Sequence, residues 1–364
     1  MVARGLHAAI GTAVLLSGLS LPSAAQDRDY EGLKYIGPGS RLDWCQATGQ
    51  VVFDRLNATE GHYDLHIGLA SANARCLTCA DARWPAHSGN PACHPSGQYV
   101  VFQSLDVTLP FLPVERQSIE WLMTSPGWGT NNNLWLITRD GTAAWLLRQI
   151  GAGQATLHPQ FSGNGGRLLW AERIGLNGID ELWTMKLADF VWEESQPQLR
   201  NIVDIAPFGN GTLYETFGFS RDDSTFFFAA GDPVTRSLDI YSYDLSTGGA
   251  QNLTNTPDEW DEHAHMSPDG TKILWASSRD ITIPRNYFVP FLDYWTMNAD
   301  GSNPRRLTYF NDPTAAEYYD GGVVTADNAF SADGKTVAAR LELTKTGAGL
   351  PRDVFEAVLL IKLK

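Results

Sequence analysis

Residues that can do chemistry cluster at a few places along this chain. Asp261-Glu262-His263-Ala264-His265 puts two imidazoles two residues apart, which on a strand places both on one face. Glu259 lies just upstream, and His158, Glu215, Asn90 and Asp327 stand elsewhere in comparable surroundings. Two neutral imidazoles with a carboxylate make a donor set for a divalent metal ion, and His158, His263 and Asp327 are the candidate ligands. An acidic, histidine-bearing hollow formed by Asn90, His158, Glu215, Glu262, His263, His265 and Asp327 also suits a cationic or sugar-like ligand held by hydrogen bonds. The bland reading is a polar channel that binds water. No catalytic residue is assignable from this pattern.

These residues form a site only if the fold gathers them, and internal repetition says how it does. A turn recurs at Ala47-Thr48-Gly49, Pro95-Ser96-Gly97, Gly163-Asn164-Gly165, Arg221-Asp222-Asp223, Pro268-Asp269-Gly270 and Ala332-Asp333-Gly334. After each comes an apolar strand, of which Lys272–Ser277 reads as half-buried. A third strand then opens on Asp64, Asn133, Glu181, Asp239, Asp293 or Asp353, followed by an apolar and usually an aromatic residue. An outer strand is clearest at Leu77-Thr78, Leu253-Thr254 and Leu307-Thr308. Six such units predict an all-β, six-bladed β-propeller with four-stranded blades, spanning approximately 37–80, 88–150, 155–203, 213–255, 260–309 and 322–364. The sixth unit lacks its outer strand, and 32–36 is expected to supply it and latch the ring. Three positions before each first-strand anchor, the repeats align Leu42, Asn90, His158, Thr216, His263 and Asp327 at the mouth of the innermost strands. The acids that open the third strands are expected to accept backbone N–H bonds from nearby turns.

Composition narrows the classes. The 364 residues carry a net charge of −14, which excludes the basic footprint that nucleic acid requires. Residues 1–25 read as a secretory signal peptide, with Arg4 ahead of an apolar run and small residues at the cleavage position, so the protein is expected to be periplasmic or secreted. The rest offers no run long enough to span a membrane, and a monomer is expected. Cys45, Cys76, Cys79 and Cys93 are candidates for structural disulfides, with three pairings open. The insertions at 106–132 and 281–292 carry Trp121, Trp128, Tyr287, Phe288 and Phe291, which are candidate partner-contact residues.

The Ser267-Pro268-Asp269-Gly270 turn, the Ala-Ser-Ser-Arg-Asp run that follows, and Met297-Asn298-Ala299-Asp300-Gly301-Ser302 with Arg305-Arg306-Leu307-Thr308 resemble the TolB-type (WD40-like) propeller repeat. The resemblance is plainest at 262–308 and implies an exported six- or seven-bladed propeller. TolB itself carries an N-terminal α/β domain and binds envelope proteins; here blade one begins near Arg41, so that domain is not expected. Similar propellers precede the catalytic domain of prolyl-oligopeptidase-like peptidases, but no G-x-S-x-G elbow occurs here. Some metal-dependent pectate-fragment lyases also resemble this arrangement of a propeller with clustered histidines. Two functions follow. One is a module of the cell envelope that binds a protein or a glycan. The other is a metal-dependent carbohydrate lyase or hydrolase with its site at the propeller mouth.

Overall fold

A computed structural model describes residues 28–68, 73–110, 118–178, 180–232, 237–282, 290–344 and 354–364. The region read as a signal peptide, together with Tyr287, Phe288 and Asp353, lies outside the described residues.

The repeated turn is built by side chains. Ser267 Oγ donates to Asp269 Oδ1 at 2.6 Å and accepts from Lys272 N at 3.0 Å, while Gly270 takes the positive φ of 76° that closes the turn. Ser331, Asp333 and Gly334 repeat this arrangement, with Ser331 Oγ donating to Asp333 Oδ1 and Gly334 at φ 69°. Each turn sends the chain back as an antiparallel neighbour, and the result is six four-stranded sheets. Blade five, for example, runs through Asp261–Met266, Lys272–Ser277, Asp293–Asn298 and Arg305–Arg306, innermost strand first.

Lys272–Ser277 is buried from Ile273 onward rather than half-buried. A blade lies between two other blades, so both faces of its second strand meet apolar surface. The strand then reads as a continuous apolar run, as in other sheets covered on both sides. Trp170, Trp275, Phe53, Phe102 and Phe228 fill these gaps between blades and are fully buried.

The sixth sheet is closed by the N-terminal strand Tyr30–Pro38, longer than expected, which pairs with Phe355–Leu363 from Tyr30↔Leu363 to Pro38↔Ala357. Third-strand acids do structural work. The outer strands of blades one, four and five are Arg75–Cys76, Ala250–Asn252 and Arg305–Arg306, ending short of the expected Leu-Thr pairs. Asp64, Asp239 and Asp293 accept hydroxyl bonds from Thr78, Thr254 and Thr308 just past them, at 3.1, 2.9 and 2.8 Å. Those hydroxyls in turn accept the N–H of Leu65, Ile240 and Tyr294. Asp293 also accepts from Phe310 N at 2.9 Å.

Candidate functional site

The innermost strands are Leu42–Cys45, Ser88–Cys93, Ala155–Phe161, Leu213–Phe219, Asp261–Met266 and Val323–Phe330. In four of them the pairing with the second strand skips two residues: between Gly89 and Ala92, Leu157 and Gln160, Glu262 and His265, and Thr325 and Asn328. Blade four skips Phe217 alone, and blade one skips nothing. Skipped residues are β-bulges, which free a side chain from the ladder and re-aim it. Asn90, His158 and His263 sit in three of these bulges with φ of 51°, 48° and 56°, a left-handed conformation that costs a non-glycine residue roughly 1–3 kcal/mol. The candidate ligands therefore lie partway along their strands, set there by backbone that the sheet alone does not favour.

Three of them converge. His158, His263 and Asp327 each offer a ligand atom, and these atoms lie within 4.8 Å of one another. His263 Nδ1 is 3.8 Å from Asp327 Oδ1, its Nε2 is 3.8 Å from Glu262 Oε1, and the two imidazoles meet edge to face at 5.0 Å. Phe217 packs against both rings, at 5.7 Å from His158 and 5.3 Å from His263, and forms an apolar wall. His158, His263 and Asp327 are 5–6 % exposed. Trp260 Nε1 donates to Glu262 Oε2 at 2.7 Å and fixes that carboxylate.

The electrostatics suit a cation. Burial pushes the His158 imidazole down to about 4 and that of His263 to about 3, so both nitrogen sets keep a lone pair available. For Asp327 burial opposes ionisation, yet the carboxyl is held below its ordinary value; with both imidazoles neutral, the lasting positive field comes from Arg340 and Arg41. Glu215 is pushed well above its ordinary value by burial, then by Glu262 and Asp327. Among the described residues His263 Nδ1, Asp327 Oδ2 and Glu215 Oε2 are buried with no hydrogen-bond partner. Buried polar groups are nearly always satisfied, so a knot of orphans on a candidate ligand set points to a missing partner.

The remaining expected residues divide. Asn90 donates from Nδ2 to Pro126 O at 3.4 Å, and its backbone N–H is bound by Asp54. His265 lies near Phe217 at 6.4 Å, and burial lowers its imidazole to about 4. Of the three described loop aromatics, Trp121 and Phe291 pack inward. Trp121 opens off a short helix, Ile119–Thr124, packs on Tyr63 and His87, and donates to Gly61 O at 2.5 Å. Phe291 belongs to a core cluster with Trp260 and Leu292. Of this set only Trp128, 41 % exposed, faces outward among the described residues.

Beside the site runs a polar network that sequence reasoning missed. Arg41 donates twice to Asp54, at 2.7 and 3.0 Å. Glu356 accepts from Ser40, Tyr63 and Arg340, and Arg340 also binds Glu342. It joins the first blade to the last.

Comparison with known proteins adds to this. The sequence matches no family model. It matches no curated protein either. The structure is similar to TolB from Acinetobacter baumannii, at 14 % identity over 98 % of this chain and 68 % of that one, with a TM-score of 0.51. The fold is that of a TolB-type propeller. A puromycin hydrolase variant matches at 12 % identity and a TM-score of 0.50 over 88 % of this chain, which spans under half of that enzyme, 46 %. An oligogalacturonate lyase in complex with manganese aligns at 11 % identity over 91 % of both chains, with a TM-score of 0.47. At such identities the likeness is one of fold. Cys45–Cys93 and Cys76–Cys79 are the disulfides, and no helix of the described residues is long and apolar enough to cross a membrane.

Proposed function

We propose that this propeller is an exported binding module whose axial site takes a divalent metal ion on His158, His263 and Asp327, and presents that site to a protein or glycan partner of the cell envelope. The observation that carries the reading is the convergence of these three donors from three different blades within 4.8 Å, with His263 Nδ1 and Asp327 Oδ2 left unpartnered. Such a set of two imidazoles and a carboxylate suits a borderline divalent cation, which would supply a Lewis-acidic centre for an oxygen ligand. The chain's own contribution is to hold the donors rigid through the bulges and to shield one side with Phe217. Export rests on the pattern of residues 1–25.

Metal content of untagged protein, followed by calorimetric titration with zinc, manganese and nickel, tests the proposal. One ion per chain is expected, and its affinity should fall at least about tenfold in His263→Ala. A metal-free protein that takes up none of the three ions would end it.

A second reading, a metal-dependent carbohydrate lyase or hydrolase, is favoured by one observation. Glu215, held protonated beside Glu262 and Asp327, is a candidate general acid. Turnover of acidic and neutral oligosaccharides by the metal-loaded protein, abolished in Glu215→Gln, would support it; no turnover of either class would leave the binding module.

A further inference from the structure

Away from the axis, the Cys76–Cys79 disulfide sits in surroundings that a structural staple does not need. Its sequence separation is 3, against 48 for Cys45–Cys93, and closing so short a loop removes little freedom from the unfolded chain. Cys79 is exposed and Cys76 half-buried, so the two sulfurs differ in access. The backbone N–H of Cys79 donates to Cys76 Sγ at 2.9 Å, which stabilises negative charge on that sulfur. His66 stands directly across the ladder from Cys76, and its Nε2 is 3.9 Å from Cys79 Sγ. Arg55 Nη2 donates to that same Nε2 at 2.8 Å, so His66 keeps its proton on Nδ1 and gives it to Asp64 O at 3.0 Å. A guanidinium is thereby held beside the exposed sulfur. Among the described residues no carboxylate forms an ion pair with Arg55. A cavity of about 290 Å³ opens on this spot, lined by Arg55, Asn57, Asp64, His66 and Cys79. The Asp64 carboxylate in its wall is already engaged by Thr78 and Asn57.

We propose that Cys76–Cys79 is a thiol–disulfide exchange site for a small thiol that carries a carboxylate or sulfonate a few atoms from its sulfur. The thiolate attacks Cys79 Sγ, a new S–S bond forms there, and the Cys76–Cys79 bond breaks with its electron pair going to Cys76. Cys76 leaves as a thiolate held by the Cys79 N–H, then takes a proton from solvent. A second thiolate attacks the small molecule's sulfur, releasing its disulfide and the Cys79 thiolate, which is protonated in turn. Two thiols are oxidised to one disulfide while the protein disulfide becomes two thiols. Arg55 selects the anionic thiol by charge, and the cavity accommodates its tail.

The test compares reduction rates of Cys76–Cys79 by mercaptoethanesulfonate, 2-mercaptoethanol and cysteamine at equal thiolate concentration, read by alkylation and peptide mass spectrometry. The net charge of −14 should favour the cationic cysteamine, so a preference for the sulfonate reports the local cation. We expect the sulfonate to react several-fold faster than cysteamine, that order to be lost in Arg55→Gln, and Cys45–Cys93 to stay intact throughout. In Cys76→Ser, the disulfide of mercaptoethanesulfonate should cap Cys79. Faster reaction with cysteamine in the unmodified protein, an unchanged order in Arg55→Gln, or loss of both disulfides together would overturn the proposal.

Discussion

Two buried polar clusters lie close together in this ring and are finished to different degrees. In the first, Arg41 is paired twice with Asp54, and Glu356 collects Ser40, Tyr63 and Arg340, so each charge meets an opposite charge, although Arg340 Nε itself lacks a hydrogen-bond partner among the described residues. In the second, His158, His263 and Asp327 approach one another, yet His263 Nδ1, Asp327 Oδ2 and the neighbouring Glu215 Oε2 have no hydrogen-bond partner among the described residues. A satisfied network fixes how two blades meet. An unsatisfied one costs stability unless something else completes it. On the proposed function, the contrast separates residues that close the ring from residues that would hold a metal ion.

Breaking the first cluster should have the larger effect. Arg41→Ala strands the Asp54 carboxylate, which burial already pushes up to about 6 despite Arg41, and should cost about 3–5 kcal/mol in chemical denaturation. A loss below about 1 kcal/mol would mean that the pair contributes nothing to closure.

Acid should act next, through His87. Burial lowers this imidazole from 6.5 to about 3, so the unfolded chain binds a proton that the folded one refuses. The stability that His87 contributes above pH 6.5 is therefore lost as pH falls from 6.5 towards 3, by a few kcal/mol in all. His87→Gln should flatten the slope of Tm against pH in that window; an unchanged slope would exclude His87 as its source.

The smallest effect belongs to the second cluster. Glu215→Gln replaces a carboxyl held protonated by burial and by its acidic neighbours with a group of the same shape, and should shift neutral-pH stability by less than about 1 kcal/mol. A cost like that of Arg41→Ala would erase the distinction between the two clusters.

Much of the architecture was legible because propeller units repeat their turns. Ser267-Pro268-Asp269-Gly270 and its counterparts announce strand reversals, and the missing outer strand of the sixth unit pointed to the N-terminal latch. The alignment of those turns also placed His158, His263 and Asp327 at one level, which the structure brings within reach of each other. The bulges were not read. Pro91 and Pro159, directly after Asn90 and His158, were the available signal, since proline inside a strand marks a broken ladder. Arg41, Asp54, Arg340, Glu342 and Glu356 gave no signal. Ser40 and Glu356 lie 316 residues apart, and such partners meet only once the ring closes. Trp121 and Phe291 misled for the opposite reason: a large aromatic in a long loop serves equally to pin the loop down.

The pairing of Tyr30 with Leu363 carries a consequence for how the molecule is made. The early strand has no partner until residues 355–363 have left the ribosome, so through most of synthesis the growing chain holds an open edge that any other strand can seize. Chains stalled before residue 355 cannot cover that edge, and they are expected to aggregate more readily than complete ones.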